Sequence, residues 1–319
     1  MIPALRCGRC GGETAHAPVF PATCDCGGLW APWSPTPELP PTALRRTPLW
    51  PDPGFAGLWW KREDLLPTGS FKDRGAEVLA QTAVAAGARR LVTDSSGSAA
   101  LAMASQAAQV RRPLTVHTPG NLPAVKRDAL SVLGAQLHAE GTRAEAAARA
   151  RSEAREAYLT SHVYHPAFLE GTARSGAEVL AERPDASVWI VPVGNGSLLL
   201  GLALQLERAG RRDIRLVAVQ AAAAPGLRAG NDRASSVAAG INIAAPPRRW
   251  EILAALERQG GRVIEVGETA LVDAHRRLAA RGLLAETATA VALAAAEILR
   301  GQADRGDWVA WCTGSGLRA

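Results

Sequence analysis

The chain has 319 residues, 47% of them apolar, which is enough for one large domain or two built around substantial cores. Its net charge of +6 rests on arginine, because the 36 basic residues include only three lysines, Lys61, Lys72 and Lys126. The arginines are scattered rather than clustered, which argues against a nucleic-acid partner. No apolar run reaches the ~18 residues of a membrane span, and MIPALRCGRC lacks the apolar stretch of a signal peptide, so a cytoplasmic protein with no membrane partner is expected.

Residues 1–36 are rich in Cys, Gly and Pro and carry no amphipathic period. Cys7-x2-Cys10 and Cys24-x-Cys26 suggest tetrahedral thiolate ligation of a structural zinc more than disulfides, with no open position for catalysis. Residues 35–53 are proline-rich and read as an extended connector. Short β-type runs follow at Leu58–Lys61, Arg90–Thr93, Leu114–His117, Val188–Val193, Ile214–Gln220, Val263–Val266 and Trp308–Cys312. Segments of helical period lie at 73–86, 98–109, 123–133, 142–157, 169–183, 197–209, 248–259, 268–281 and 288–302. That alternation predicts an α/β protein with parallel sheets covered on both faces, whose ligands sit at the carboxyl ends of strands.

Four constellations fall at such strand ends. Pro67-Thr68-Gly69-Ser70-Phe71-Lys72-Asp73-Arg74-Gly75 delivers one lysine to a helix start. The positive end of a helix dipole favours the neutral amine that imine formation with a carbonyl cofactor needs. A solvated Lys–Asp–Arg cluster is the plainer alternative. Asp94-Ser95-Ser96-Gly97-Ser98 offers either a carboxylate-binding turn or an ordinary N-cap by Ser96 or Ser98. Val193-Gly194-Asn195-Gly196-Ser197-Leu198 is a phosphate cradle or a tight turn, without the acidic partner of a dinucleotide site. Trp311-Cys312-Thr313-Gly314-Ser315-Gly316 ends a strand in hydroxyl and glycine residues, and Cys312 reads as a core residue rather than a nucleophile.

These stretches resemble the fold-type II pyridoxal 5′-phosphate (PLP) enzymes, threonine synthase most closely. PTGSFKDRG, residues 67–75, matches the family's cofactor-lysine motif. Gly134-Ala135, His165-Pro166 with Leu169-Glu170-Gly171, Ala239–Ile243, Glu286-Thr287-Ala288-Thr289-Ala290 and Thr313–Leu317 resemble further segments of it. Cys7, Cys10, Cys24 and Cys26 resemble the zinc-ribbon-like arm of some members. The resemblance implies a tryptophan-synthase-β-like fold with an arm at 1–36, a large PLP-binding domain at 37–84 and 160–319, a small domain at 85–159, and a homodimer. It implies that Lys72, next to Phe71, holds PLP as a Schiff base and takes the substrate's α-proton as general base. Gly194, Asn195, Gly196, Ser197 and Leu198 would wrap the phosphate, Ser98 would face the ring oxygen, and Thr313 would meet the pyridine nitrogen and leave it largely unprotonated. Ser95, Ser96 and Gly97 would bind the substrate carboxylate, with Lys126 and Arg174 as cationic contacts.

The chain departs from that pattern at two places. Ser98 stands where the family has asparagine, and Phe168 and Ala173 stand where it has an arginine and a lysine that meet the substrate phosphate. Three readings stay open: a lyase of threonine synthase type acting on O-phosphohomoserine, a β-eliminating or β-replacing enzyme acting on a serine- or threonine-like amino acid, and a PLP-fold binding protein without turnover.

Overall fold

A computed structural model describes residues 4–14, 23–32, 42–95, 97–228, 236–302 and 306–318. Near the N-terminus Leu5–Cys7 (β1), Glu13–Thr14 (β2) and Trp30–Pro32 (β3) pair antiparallel in the order β2-β1-β3. The chain continues through Leu49–Pro51 (β4), Leu58–Arg62 (β5), Lys72–Ala85 (α1), Leu91–Thr93 (β6), Ser98–Gln109 (α2), Leu114–Thr118 (β7) and Ala124–Val132 (α3). Gln136–Ala139 (β8), Arg143–Glu153 (α4), Tyr158–Leu159 (β9), Ala167–Glu182 (α5), Val188–Pro192 (β10), Ser197–Arg208 (α6) and Arg215–Ala221 (β11) follow. Arg249–Arg258 (α7), Arg262–Val266 (β12), Glu268–Ala280 (α8), Thr287–Gly301 (α9) and Trp308–Cys312 (β13) complete the chain.

Two compact units result, Met1–Leu44 with Lys72–Gly171, and Arg45–Phe71 with Thr172–Ala319. The second holds a six-stranded sheet in the order β12-β11-β10-β13-β5-β4, parallel except for the edge strand β4. Its inner strands β10 and β13 read VWIVP and WVAWC and are buried at every position, the mark of a parallel sheet covered on both faces. On one face the alanine-rich side of α9 lies flat against it, and Val291, Ala295 and Leu299 share a core with Ile190, Val217, Val219 and Trp308. The Trp189 and Trp311 rings meet edge-on at 5.2 Å.

The first unit holds a parallel sheet in the order β8-β7-β6-β9. The sequence reading drew residues 72–84 and 160–171 together with the larger sheet. Packing groups them with the smaller one, because Ala76, Leu79, Ala80 and Ala83 on α1 share a core with Leu91, Met103, Ala104, Ala167 and Phe168. Helix α5 crosses α1 closely at Gly171, where an added Cβ would sit 2.0 Å from the Arg74 carbonyl oxygen. Within the segment of helical period at 142–157 lies α4. It opens on a capping box in which the Thr142 hydroxyl accepts from Glu145 N–H while the Glu145 carboxylate accepts from Thr142 N–H. Strand β9 escaped the sequence reading because two residues carry no period of their own. Among the described residues no helix is long and apolar enough to cross a membrane.

One buried ion pair anchors the second unit. Lys61 Nζ lies 2.7 Å from Glu178 and donates to the Thr47 carbonyl, with the Lys61 side chain wholly buried and that of Glu178 5% exposed. Removing one partner strands a desolvated charge. Glu178→Ala should therefore lose about 3–5 kcal/mol in urea unfolding. Glu13→Ala, which breaks the exposed pair with Arg6, should lose less than about 1 kcal/mol in the same measurement.

Candidate active site

With only three amines in the lysine side chains, the search for a carbonyl-reactive group is short. Lys61 is committed to Glu178 inside the fold. Lys126 is half-buried on α3. Lys72 is half-buried and is the first residue of α1.

The unit that holds Lys72 also holds the loops at the carboxyl ends of β6 and β9. The two strand ends are tied together, since Thr160 Oγ1 donates to the Val92 carbonyl at 2.9 Å and Thr93 Oγ1 donates to the Thr160 carbonyl at 3.1 Å. After β6, Ser95 is buried and its hydroxyl accepts from Gly97 N–H. Gly97, not a serine, is the N-cap of α2, and it has no side-chain cap bond. The first turn of α2 therefore keeps amide groups available to a carboxylate. Ser98 is the first helical residue, and Ser96 lies outside the described residues.

After β9, a turn held by the Ser161 hydroxyl, which accepts from Val163 N–H and Tyr164 N–H, presents His162. The His162 ring stands edge-on to Phe168 at 6.0 Å, and its Nδ1 is sealed from solvent with no partner. Phe168 packs where a Cβ on Gly75 would be, one turn along α1 from Lys72. Burial first, then the charges of Lys72 and Arg143, push the His162 imidazolium down to about 3. No sequence pattern pointed to His162, because the strand that positions it went unseen. His165 is structural: Nδ1 accepts from Ala167 N–H and Nε2 lies 2.8 Å from the Tyr158 hydroxyl.

In the other unit, the loops after β5, β10 and β13 stand at the carboxyl ends of neighbouring strands, the ligand edge of a parallel sheet. Gly196 caps α6 at φ 84°, a conformation that needs glycine, and a Cβ there would meet Ile252 at 2.4 Å. A Cβ on Gly194 would come within 3.0 Å of the Ile241 backbone. The α6 N-terminus has no side-chain cap, so the amides at Ser197 and Leu198 are left to an anion. Thr313 is 3% exposed and donates from Oγ1 to Glu286 at 2.7 Å. The loop before Lys72 is stitched to the same turn, with Phe71 N–H donating to the Thr313 carbonyl and Ser315 N–H to that of Gly69. Ser70 there has a buried hydroxyl with no partner. Arg174 is half-buried on α5, while Phe168 and Ala173 are core residues. Cys312 is wholly buried at the end of β13, where burial raises its thiol far above the usual range. In this unit an uncapped helix end with a glycine cradle and a hydroxyl at a strand end fit the phosphate and ring nitrogen of PLP, and in the other unit Lys72 carries the kind of amine that an aldehyde takes.

The comparisons agree with that fit. The family model described as pyridoxal-phosphate dependent enzyme matches residues 41–314, and the chain belongs to this family. It is 34% identical over 172 residues to an L-threonine ammonia-lyase of Geobacter sulfurreducens, covering 53% of this chain and 42% of that one, so the matched stretch spans less than half of that relative. It is 28% identical over 330 residues to the threonine synthase of Synechocystis sp., covering 94% of this chain and 86% of that one. Among solved structures, a threonine deaminase from T.th. superposes with a TM-score of 0.75 at 28% identity over 87% of this chain and 94% of that one. Maize serine racemase shares the fold, with a TM-score of 0.75 at 24% identity over 86% and 89%.

His162 has a consequence for pH stability. Its folded value lies below the unfolded value of about 6.5, so below that pH the unfolded chain binds the extra proton. Stability is lost as pH falls from about 6.5 toward 3, by about 2 kcal/mol between pH 7 and pH 5. Thermal melting of His162→Gln should show a smaller drop over that interval than wild type.

Proposed function

We propose that this protein is a PLP-dependent lyase that removes the β-hydroxyl group of a serine- or threonine-like amino acid and yields a 2-oxo acid and ammonia. The observation that carries the reading is the state of positions 168 and 173. A phosphorylated substrate calls for cations there, and this chain has a buried phenylalanine packed at Gly75 and a buried alanine. The ammonia-lyase and deaminase relatives support the same choice.

In this reading Lys72 holds the cofactor, Phe71 flanks it, and Gly194, Asn195, Gly196, Ser197 and Leu198 hold its phosphate. Bound PLP supplies an electron sink for the bond broken at Cα. The Lys72 amine takes the α-proton. Ser95, Ser96 and Gly97 orient the substrate carboxylate, Ser98 faces the ring oxygen, and Thr313 meets the ring nitrogen.

Purified protein with PLP should show a visible absorbance band that borohydride or Lys72→Ala abolishes, and wild type should release 2-oxo acid from serine or threonine. The second reading, threonine synthase activity, is favoured by the Synechocystis relative, which matches nearly the whole chain. Phosphate release from O-phosphohomoserine without 2-oxo acid from serine or threonine would establish it in place of the first.

We further propose that Cys7, Cys10, Cys24 and Cys26 hold one structural zinc ion. Their sulfur atoms all lie within 4.8 Å of one another, with Cys7–Cys26 at 3.5 Å and Cys10–Cys24 at 3.6 Å. Tetrahedral zinc–thiolate bonds of about 2.3 Å place sulfurs about 3.8 Å apart. Arg9 N–H also points to Cys7 Sγ at 3.4 Å, a contact that stabilises a thiolate. Elemental analysis should find one zinc per chain, lost in Cys10→Ser/Cys24→Ser with the PLP band retained.

A further inference from the structure

We propose that the C-terminal end of α2 carries a further binding site, which takes a small aliphatic 2-oxo carboxylate between Arg111, Arg112 and an apolar floor. The site lies wholly within the first unit, and it stands whether or not Lys72 holds PLP.

A backbone conformation marks the place. Helices α1, α2, α3, α6, α7 and α8 all end in the same pair of bonds, in which two successive N–H groups turn back to the last helical turn. The residue in the left-handed turn is Gly87 after α1, Gly134 after α3, Gly210 after α6, Gly260 after α7 and Gly282 after α8, at φ from 54° to 83°. After α2 it is Arg111, at φ 54°, and no other non-glycine residue among those described has a positive φ. A Cβ disfavours this region by roughly tenfold relative to glycine. The helix dipole favours a cation near a helix C-terminus, but it does not account for the exchange. Helices α6, α7 and α8 carry Arg208, Arg258 and Arg277 in their last turns, α1 and α3 carry no basic residue there, and all five close on glycine. A strained residue kept where glycine is the rule points to a task other than folding.

The surroundings of Arg111 give that task a chemistry. Arg111 and Arg112 rim a cavity of about 290 Å³. Its floor is Ala104 and Ala107 of α2 and Leu114 of β7, all buried in the core of the unit, with Leu133 from the end of α3 packed against them. Arg111 is exposed, and among the described residues no carboxylate pairs with it. Arg112 is half-buried and its fork is fixed, since Nε donates to the Ala88 carbonyl at 2.9 Å and Nη1 to the Arg111 carbonyl at 3.3 Å. Its Nη2 is left to a ligand. No Asp or Glu lines the cavity, so nothing there holds an ammonium group. A free guanidinium matches a carboxylate, a second donor beside it matches a 2-oxo oxygen, and the floor matches an aliphatic chain. The volume holds on the order of ten non-hydrogen atoms. Helix α2 has 12 residues, so the cavity stands about 18 Å along it from the loop after β6.

The test titrates the full-length, PLP-treated protein with 4-methyl-2-oxopentanoate by calorimetry at low salt. Wild type should show saturable binding. Arg111→Gly keeps the turn and removes the guanidinium, so its affinity should fall about tenfold or more, with the Lys72-dependent absorbance band unchanged. Leucine, which has the same carbon skeleton with an ammonium group, should bind wild type at least about tenfold more weakly. Thermal melting without ligand reads the strain separately. Arg111→Gly should melt about 2 °C above wild type, whereas Arg111→Ala, which keeps the strain, should melt no higher and bind as weakly as Arg111→Gly. Absence of saturable binding in wild type overturns the site, as does affinity that persists in Arg111→Gly. A melting temperature of Arg111→Gly below that of wild type also overturns it, because Arg111 is then held for stability. Leucine binding as tight as that of the 2-oxo acid overturns the ligand class. If no Lys72-dependent band forms, the PLP reading falls and the calorimetry still decides this site.

Discussion

Two backbone hydrogen bonds govern where the chemistry can happen. Phe71 N–H reaches the Thr313 carbonyl and Ser315 N–H reaches that of Gly69, so the loop leaving β5 is locked to the loop leaving β13. Lys72 is the next residue after this lock, and α1 begins on it. The lysine therefore follows directly on a backbone fixed to the β13 turn, and Ala76, Leu79, Ala80 and Ala83 of its helix lie in the core of their own unit. Both strands are held in register by their direct parallel pairing from Trp308–Leu58 to Cys312–Arg62. The buried Lys61–Glu178 pair and the chain Thr47–Glu63–Ser175–Trp311 lie behind that pairing and fix it from the core side.

Much of this was legible in the sequence, for identifiable reasons. Helix α2 falls at 98–109 and strand β13 at 308–312 as their patterns predict, because uninterrupted apolar or alanine-rich runs bounded by Gly and Pro leave little choice. The lysine motif and the glycine cradle at 194–198 were visible because backbone geometry dictates those residue types. Strands β4 and β9 were not visible. They are short edge or near-edge strands whose pairing comes from tertiary context rather than from their own period.

The polar residues of the site divide the same way. Glu286 could be quoted as part of a motif but not given a partner, because its bond is to a residue 27 positions away. His162 offered no pattern at all. It gains its surroundings from Phe168, which already in the sequence departs from the cation of the family's pattern. That residue also builds the wall against which His162 is sealed.

The scarcity of lysine has a practical and chemical side beyond structure. With Lys61 locked in an ion pair, the side-chain amines that a carbonyl compound can meet are Lys72 and Lys126. Stray aldehydes in a cell form reversible adducts wherever nucleophilic amines are plentiful, and a surface built from arginine offers them almost none. The same composition that gives this protein its basic charge leaves its amine reactivity concentrated at very few positions, so an aldehyde that does react has little choice of address.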